Sequence, residues 1–435
     1  MKAIVIGSGF GGLAVAIRLA RRGYDVTVLE RLDQPGGRAR VFKQDGFTFD
    51  AGPTVITAPF LFEELWSLCG LCMKDEIDLR PVDPFYRIRF DDGEVFNYTG
   101  DPNAMHTEIA RINPDDVTGY EAFFKQSEAI FRVGFQELAD VPFDSIQSML
   151  RIVPKMARLK SYRTVYNLVS SYIKHPKLRQ VFSFHPLLVG GNPFSTTSIY
   201  ALIAFLERKW GVHFPMGGTG VLVQGMVRLL ERCGGELKLR TNVEEILVEQ
   251  NRVKGVRISG GQELNADIIV SNADSAWTYR YLIPHKFRKT WTDPKLDRAR
   301  YSMGLFVWYF GTSCVYPDVK HHTILLGPRY RELLRDIFDR RILAKDFSLY
   351  LHRPTATDSR LAPSGKDAFY VLSPVPHLQS GINWNETAEY YRQAIASYLS
   401  SSILPNLEAN VVTSKVMTPQ HFQDELLAFR GAAFS

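Results

Sequence analysis

Residues 2–38 read KAIVIGSGFGGLAVAIRLARRGYDVTVLERLDQPGGR, and this stretch decides the fold. Lys2 to Ile6 is an apolar run too short for a helix, and it ends in Gly7-Ser8-Gly9-Phe10-Gly11-Gly12, which fits G-x-G-x-x-G at Gly7, Gly9 and Gly12. A strand therefore feeds a helix through a glycine turn. Gly7 permits the tight turn, Gly9 lets a pyrophosphate approach the backbone, and Gly12 lets the helix, expected from Gly11 to Arg21, pack on the strand. The phosphates rest on the free N–H groups at the helix start. Gly23 ends the helix, Val26 to Leu29 reads as a second buried strand, and Glu30 follows eighteen residues after Gly12, where an acid accepts from ribose hydroxyls. Strand, turn, helix, strand and acid come in the required order, so the fold class is α/β with a Rossmann-like dinucleotide-binding domain.

The 435 residues, 45% of them hydrophobic, suffice for two or three domains with substantial cores. Met1 runs straight into the first strand without a charged n-region and cleavage site, and no stretch reaches eighteen consecutive apolar residues. These features predict a cytoplasmic chain. Four cysteines suit a reducing compartment; Cys69 and Cys72 form a lone C-x-x-C, expected to be buried thiols on a helix. The ten histidines show no H-E-x-x-H spacing, and the adjacent His321 and His322 are not expected to share a face of a strand or helix, so no metal is predicted.

The net charge of +6 is unevenly spread. Residues 145–206 contain no Asp or Glu but hold Arg151, Lys155, Arg158, Lys160, Arg163, Lys174, Lys177 and Arg179. Interleaved with these are Leu150, Val153, Leu159, Tyr162, Val165, Leu168, Val169 and Ile173, among others. No nucleic-acid-binding motif accompanies the bases. The mixture predicts helices lying on an anionic membrane surface, hence a peripheral, monotopic association.

Further along, Gly217-Gly218-Thr219-Gly220 precedes a helical apolar pattern closed by Cys233-Gly234-Gly235. Strands are expected at Leu237–Leu239, Val243–Val248, Arg252–Ile258 and Ala266–Val270, with Gln250-Asn251 as a hairpin turn. After 275, Leu305–Phe310, Thr323–Leu326, Phe347–Leu351 and Ala368–Leu372 read as strands of a β-rich part, in which Phe306, Trp308 and Phe310 form a core stripe. The expected organisation is a discontinuous dinucleotide domain (1–80 and 215–275), a substrate domain (81–130 and 276–435), and a helical, basic, membrane-contacting region (131–214).

Gln34-Pro35-Gly36-Gly37-Arg38 and Phe49-Asp50-Ala51-Gly52-Pro53-Thr54 resemble segments of the amine oxidase and carotenoid desaturase flavoproteins. That resemblance implies FAD as cofactor, with Gly36, Gly37 and Arg38 at its pyrophosphate, Gly52, Pro53 and Thr54 near the isoalloxazine, and Val243 over the adenine. Arg31 is placed beside Glu30 in the same site, completing a set with Gly7, Ser8, Gly9, Phe10, Gly11 and Gly12. The strings SFHPLLVGGNPFSTTSIYALI (183–203), WGVHFPMGGTG (210–220), SNAD (271–274), LLGPRYREL (325–333), DFSLYLH (346–352) and SPVPHL (373–378) look like the bacterial phytoene desaturase family, and the likeness runs from 1 to 435. Family members continue past the segment matching Phe429–Ser435 with a glycine-rich motif that supports the flavin ring; the sequence stops first.

The resemblance implies an FAD-dependent oxidoreductase that desaturates phytoene, a C40 polyene, to lycopene or neurosporene in carotenoid biosynthesis. Such a hydrocarbon calls for an apolar tunnel with access to lipid. Hydride transfer to the flavin and loss of a neighbouring proton would repeat along the chain, with quinone or oxygen as final electron acceptor. Asp50, Asp274 and Arg151 are the candidates for polar catalytic roles. A desaturase of C30 or hydroxylated carotenoids, a carotenoid isomerase, and a non-enzymatic isoprenoid carrier on the same scaffold are the alternatives.

Overall fold

The structure, a computed structural model, describes residues 1–141 and 146–434. Positions 142–145, inside the expected helical region, lie outside the described residues. A four-stranded parallel sheet runs in the order Ile268–Ser271, Lys2–Ile6, Asp25–Leu29, Glu236–Lys238. Its strands are apolar runs buried by helices, as parallel sheets require. Phe10–Arg21 and Thr219–Arg232 pack together on one face, where Leu13, Ile17, Trp66, Leu222, Met226 and Leu229 form a core. The other face carries an antiparallel sheet of Val243–Glu249, Arg252–Ile258 and Glu263–Asn265. The turn Gln250-Asn251 has φ of 48° and 60°, the left-handed pair that matches hairpin twist.

A seven-stranded sheet forms the second layer, in the order Val411–Met417, Gly304–Thr312, Asp367–Val375, Leu349–His352, His322–Leu325, Tyr86–Arg89, Val95–Tyr98. Strands 220 residues and more apart in sequence meet here. The strand Gly304–Thr312, second from one edge, is buried along its whole length because both faces are covered. Phe306, Trp308 and Phe310 pack with Phe369, Trp384 and Tyr391 under the helix Trp384–Ser402, while Leu305 and Val307 point to the opposite side. Period-two alternation thus assigns one face to core and the other to a cavity wall.

Helices fill the span between the two halves of the parallel sheet: Pro102–Ile112, Asp116–Phe131, Ile146–Arg158, Val165–Ser170, Pro176–Ser183 and Leu202–Trp210. The expectation that the whole basic window lies on a surface is corrected here. Leu159, Val165, Leu168, Val169 and Ile173 are buried in the main core, since the helices after 164 pack on Asp116–Phe131 and its neighbours. Three of the bases pair with acids from outside the window: Lys155 with Glu137, Lys174 with Asp115, and Lys177 with both Asp92 and Glu94. What remains exposed is concentrated at Leu150 (64%), Val153 (55%) and Tyr162 (74%). Among the described residues, no helix is long and apolar enough to cross a membrane.

The cysteine expectation also changes. Cys72 is exposed and lies past the helix Pro59–Leu68, whereas Cys69 faces Cys233 with their sulfurs 2.9 Å apart. Neither is the buried helical thiol expected: Cys69 is half-buried at the helix end, and a turn at Gly70 carries Cys72 out to solvent.

Candidate active site

Two cavities adjoin along a wall made by Gly37, Arg38, Pro53 and Leu426. The first, about 310 Å³, sits at the carboxyl end of the parallel sheet. The tight packing predicted for Gly12 is literal: a Cβ there would stand 2.0 Å from the Gly7 carbonyl oxygen. Gly7 itself has φ of +91°, which an L side chain rarely tolerates. Gly36 N–H donates to Ser8 O at 3.1 Å, so the two glycine loops lie back to back and form the cavity floor.

Of the predicted set, Gly7, Gly9, Phe10, Gly11, Glu30, Arg31, Gly36, Gly37, Arg38, Pro53 and Val243 line this cavity. Ser8 and Gly12 stand behind the surface; Gly52, Thr54 and again Pro53 belong to the second cavity. Glu30 is buried and accepts from Ser8 N at 2.9 Å, Ser8 Oγ at 2.7 Å and Leu32 N at 2.9 Å. Three donors on a carboxylate with about four acceptor sites leave room for one ligand hydroxyl. Burial pushes the Arg38 guanidinium below its ordinary value, opposed by the Asp274 carboxylate.

Residues not foreseen complete the wall. Asn272 and Ala273 follow the edge strand, and Asn272 Nδ2 lies 3.0 Å from where a Gly9 Cβ would stand. Glu425, Leu426 and Leu427 close the opposite side. They end the helix Pro419–Leu426, which is held by Arg31 donating to the Asp424 and Glu425 carbonyls and by an Arg40–Glu425 ion pair. No motif near 425 signals this, since the contact spans almost 400 residues.

The second cavity is larger, about 630 Å³, and its wall is mainly aliphatic and aromatic: Leu187, Leu206, Leu305, Ile324, Leu326 and Phe422 are typical. Val189 (46% exposed) and Tyr200 (39%) belong to both the lining and the surface, so they mark its mouth. Ser198, two residues from Tyr200, bonds to Lys160 O at 3.1 Å and Arg163 O at 2.8 Å. The mouth therefore adjoins the exposed basic and apolar patch after the helix Ile146–Arg158.

One carboxylate lines the apolar cavity. Glu207, fully buried on the helix Leu202–Trp210, accepts from Tyr86 OH at 2.7 Å and meets His185 Nε2 at 3.1 Å. The sequence reading had named other groups. Asp274 lies on the polar cavity, accepting from Trp277 N at 2.9 Å. Asp50 lines neither cavity; it accepts from Thr219 N at 2.7 Å, and burial raises its carboxyl from 3.8 to about 7. Arg151 is exposed and lines neither cavity.

A hydroxyl chain crosses the inner wall. Tyr370 OH donates to Gly52 O at 3.3 Å, so Thr54 Oγ1 donates to Tyr370 at 2.8 Å and Tyr350 OH to Thr54 at 3.0 Å. Each hydroxyl has one proton, so the carbonyl end sets the direction of the whole chain. The next donor is His322 Nδ1–H, 2.6 Å from Tyr350 OH. Burial raises both phenols, which stay neutral.

A glycine-lined cavity thus adjoins an apolar chamber, and comparison with known proteins bears on the pair directly. Residues 10–305 match the flavin containing amine oxidoreductase family. Over 432 residues the chain is 48% identical to the lycopene-forming phytoene desaturase of Pantoea ananas, covering 99% of this chain and 88% of that protein. This chain belongs to the phytoene desaturase family. It is 43% identical over 439 residues to the neurosporene-forming phytoene desaturase of Cereibacter sphaeroides, covering 100% of this chain and 85% of that one. A solved putrescine oxidase shares the fold at 14% identity and a TM-score of 0.58, covering 96% of this chain and 84% of that one. As a member of the phytoene desaturase family the chain is a flavin oxidoreductase of mixed α/β architecture, and its cofactor is FAD. The cradle fits that group: a Cβ at Gly9 or Gly11 would crowd Asn272 at 3.0 or 2.6 Å, so the glycines keep open the space that a diphosphate needs.

Proposed function

We propose that this protein desaturates phytoene and partly desaturated carotenoids, giving lycopene or neurosporene. The observation that carries the reading is the junction of the two cavities at Arg38 and Pro53. A charged nucleotide end and an uncharged C40 end are each met by a wall of matching polarity.

In this reading residues 1–80 and 215–275 form a Rossmann-like FAD domain. Residues 81–130 and 276–435 supply the substrate layer. Gly7 to Gly12, with Gly36 and Gly37, cradle the diphosphate; Glu30 holds the ribose, and Val243 covers the adenine. Arg38 neutralises phosphate charge, and Gly52, Pro53 and Thr54 back the ring. FAD held by these residues would supply the acceptor for a hydride from an allylic carbon. The apolar wall orients the polyene and excludes water, so the electron-poor carbon that results is not hydrated. Glu207 takes the proton from the adjacent carbon, completing the new double bond; Tyr86 and His185 hold its carboxylate in place. Electrons leave to a quinone or to oxygen.

Phytoene reaches the mouth from a bilayer. Supporting this, the exposed Leu150, Val153 and Tyr162 lie in one segment with Arg151, Arg158 and Lys160, hydrogen-bonded to the loop that carries Tyr200. The membrane-contacting part is therefore the segment around 146–163, and the protein is peripheral and cytoplasmic. Liposome flotation tests it: the variant Lys155→Gln, Arg158→Gln, Lys160→Gln, Arg163→Gln is expected to lose binding to anionic vesicles by tenfold or more, at about 1 kcal/mol per charge. Unchanged flotation would sink the membrane assignment. For the activity itself, expression in cells that accumulate phytoene is expected to yield coloured polyenes with added conjugation. A product with an unchanged number of double bonds would point to isomerisation instead.

A further inference from the structure

Three buried histidines, brought together from two neighbouring strands, stand behind the cavity wall. His322 opens the strand His322–Leu325 and sits directly opposite His352, the last residue of Leu349–His352. His321 immediately precedes that strand. The adjacent pair, not expected to share a face of a strand or helix, nonetheless meets: the ring centroids of His321 and His322 are 4.4 Å apart, and those of His321 and His352 are 4.8 Å apart. Strand alternation does not govern His321 because it lies outside the ladder.

Hydrogen-bond accounting sharpens the cluster. His322 Nδ1–H donates to Tyr350, as the hydroxyl chain requires, which leaves a lone pair on Nε2. His321 engages Thr357 Oγ1 at 2.6 Å through Nδ1. The Nε2 atoms of His321 and His322 and both ring nitrogens of His352 have no hydrogen-bond partner, although all three residues are buried. One potential ligand atom from each lies within 4.8 Å of the others. The rest of the lining is aromatic, with Phe214 4.7 Å from His321 and Tyr370 4.8 Å from His352. Arg353, which lies near the cluster, is already matched by Asp367 at 2.8 Å and by Val319 O.

The geometry points to a three-histidine site for a divalent transition metal of the zinc class, bound by His321, His322 and His352 behind the substrate cavity. His321 and His322 each have one ring nitrogen fixed by a hydroxyl partner, the way metal-binding histidines are oriented by their second hydrogen bond. Metal–nitrogen bonds of about 2.1 Å place tetrahedral ligands about 3.4 Å apart, so ring rotations must draw the nitrogens inward. The fourth position falls to water. The ion would tie the entry of one strand to the end of its neighbour and polarise the His322 Nδ1–H bond that holds Tyr350 in the cavity wall.

The test uses the full chain purified without a histidine tag, equilibrated with zinc(II) and freed of loose metal. Elemental analysis is expected to find about one zinc per chain. His352→Phe and His321→Phe, which keep an aromatic ring against Phe214 and Tyr370, are expected to lose at least tenfold of it while retaining bound flavin. Cobalt(II) loading of the unmutated chain serves as a second measurement should either variant fail to fold. Visible d–d bands without a thiolate charge-transfer band are expected. Zinc no higher than in a control protein, full zinc in both variants, or a cobalt–thiolate band assigning the ion to Cys69 and Cys233 would each overturn the site. None of these readouts depends on desaturase activity.

Discussion

The two cavities make opposite demands on the chain. The proposed nucleotide cradle takes most of its lining from residues 6–39, because phosphates and hydroxyls must be met by particular donors and by bare backbone at fixed spacing. The apolar chamber draws its wall from residues 37 to 434, because a hydrocarbon asks only for area and shape. A polar ligand concentrates its recognition in sequence; an apolar one disperses it. Substitutions should therefore be severe and local on one side, shallow and distributed on the other.

The largest effect should come from the polar exception inside the apolar chamber. Glu207→Gln is expected to slow desaturation by about 10²–10⁴-fold, the range for losing a positioned acid or base. Flavin content should be unchanged. Turnover within tenfold of the parent would remove Glu207 from the mechanism. On the cradle side, the methyl group of Gly12→Ala cannot be placed without opening the turn, since it would meet Gly7 O at 2.0 Å. Flavin absorbance per chain should fall at least tenfold, and retention of the cofactor would show that the turn is softer than its packing indicates.

Asp50 tests the boundary between the two regions, where Gly218 and Thr219 meet the strand Phe47–Asp50. Its carboxyl binds a proton more tightly folded (about 7) than at its ordinary 3.8, so its favourable contribution is complete below about pH 4 and fades as pH rises through 7. Thermal scans at fixed rate from pH 5 to 8 should show the parent chain losing stability that Asp50→Asn does not lose. The difference is bounded at about 4 kcal/mol. Parallel pH curves would mean that Asp50 is ionised throughout. Smallest of all should be single truncations of the chamber wall. Leu326→Ala should raise the KM for phytoene by about tenfold, the low end (about 1.5 kcal/mol) of what burying one leucine is worth. A hundredfold change would mean that the hydrocarbon is gripped at points and not along its length.

The same contrast explains what could be read before folding. The strand-turn-helix from Lys2 to Arg21, the acid at Glu30, the hairpin at Gln250-Asn251 and the helix Thr219–Arg232 are written in nearest-neighbour terms and emerge within a residue or two. Glu207 was invisible because a carboxylate on an amphipathic helix resembles a solvated one until the fold buries it. The histidine cluster was hidden for a different reason: its members come from a strand entry and a neighbouring strand's end, brought together by register alone. The bases of 145–206 were half legible. Their sign was plain, but the acids that answer them at Asp92, Glu94, Asp115 and Glu137 lie outside the window.

The helix Pro419–Leu426 shares a wall with the turn at Gly7. On the ribosome, the first forty residues emerge with their half of the cradle, yet its far side follows only after almost 400 further residues. Cofactor loading is accordingly a late event in the life of the polypeptide. A molecule arrested before residue 419 would have a complete fingerprint and a leaking pocket.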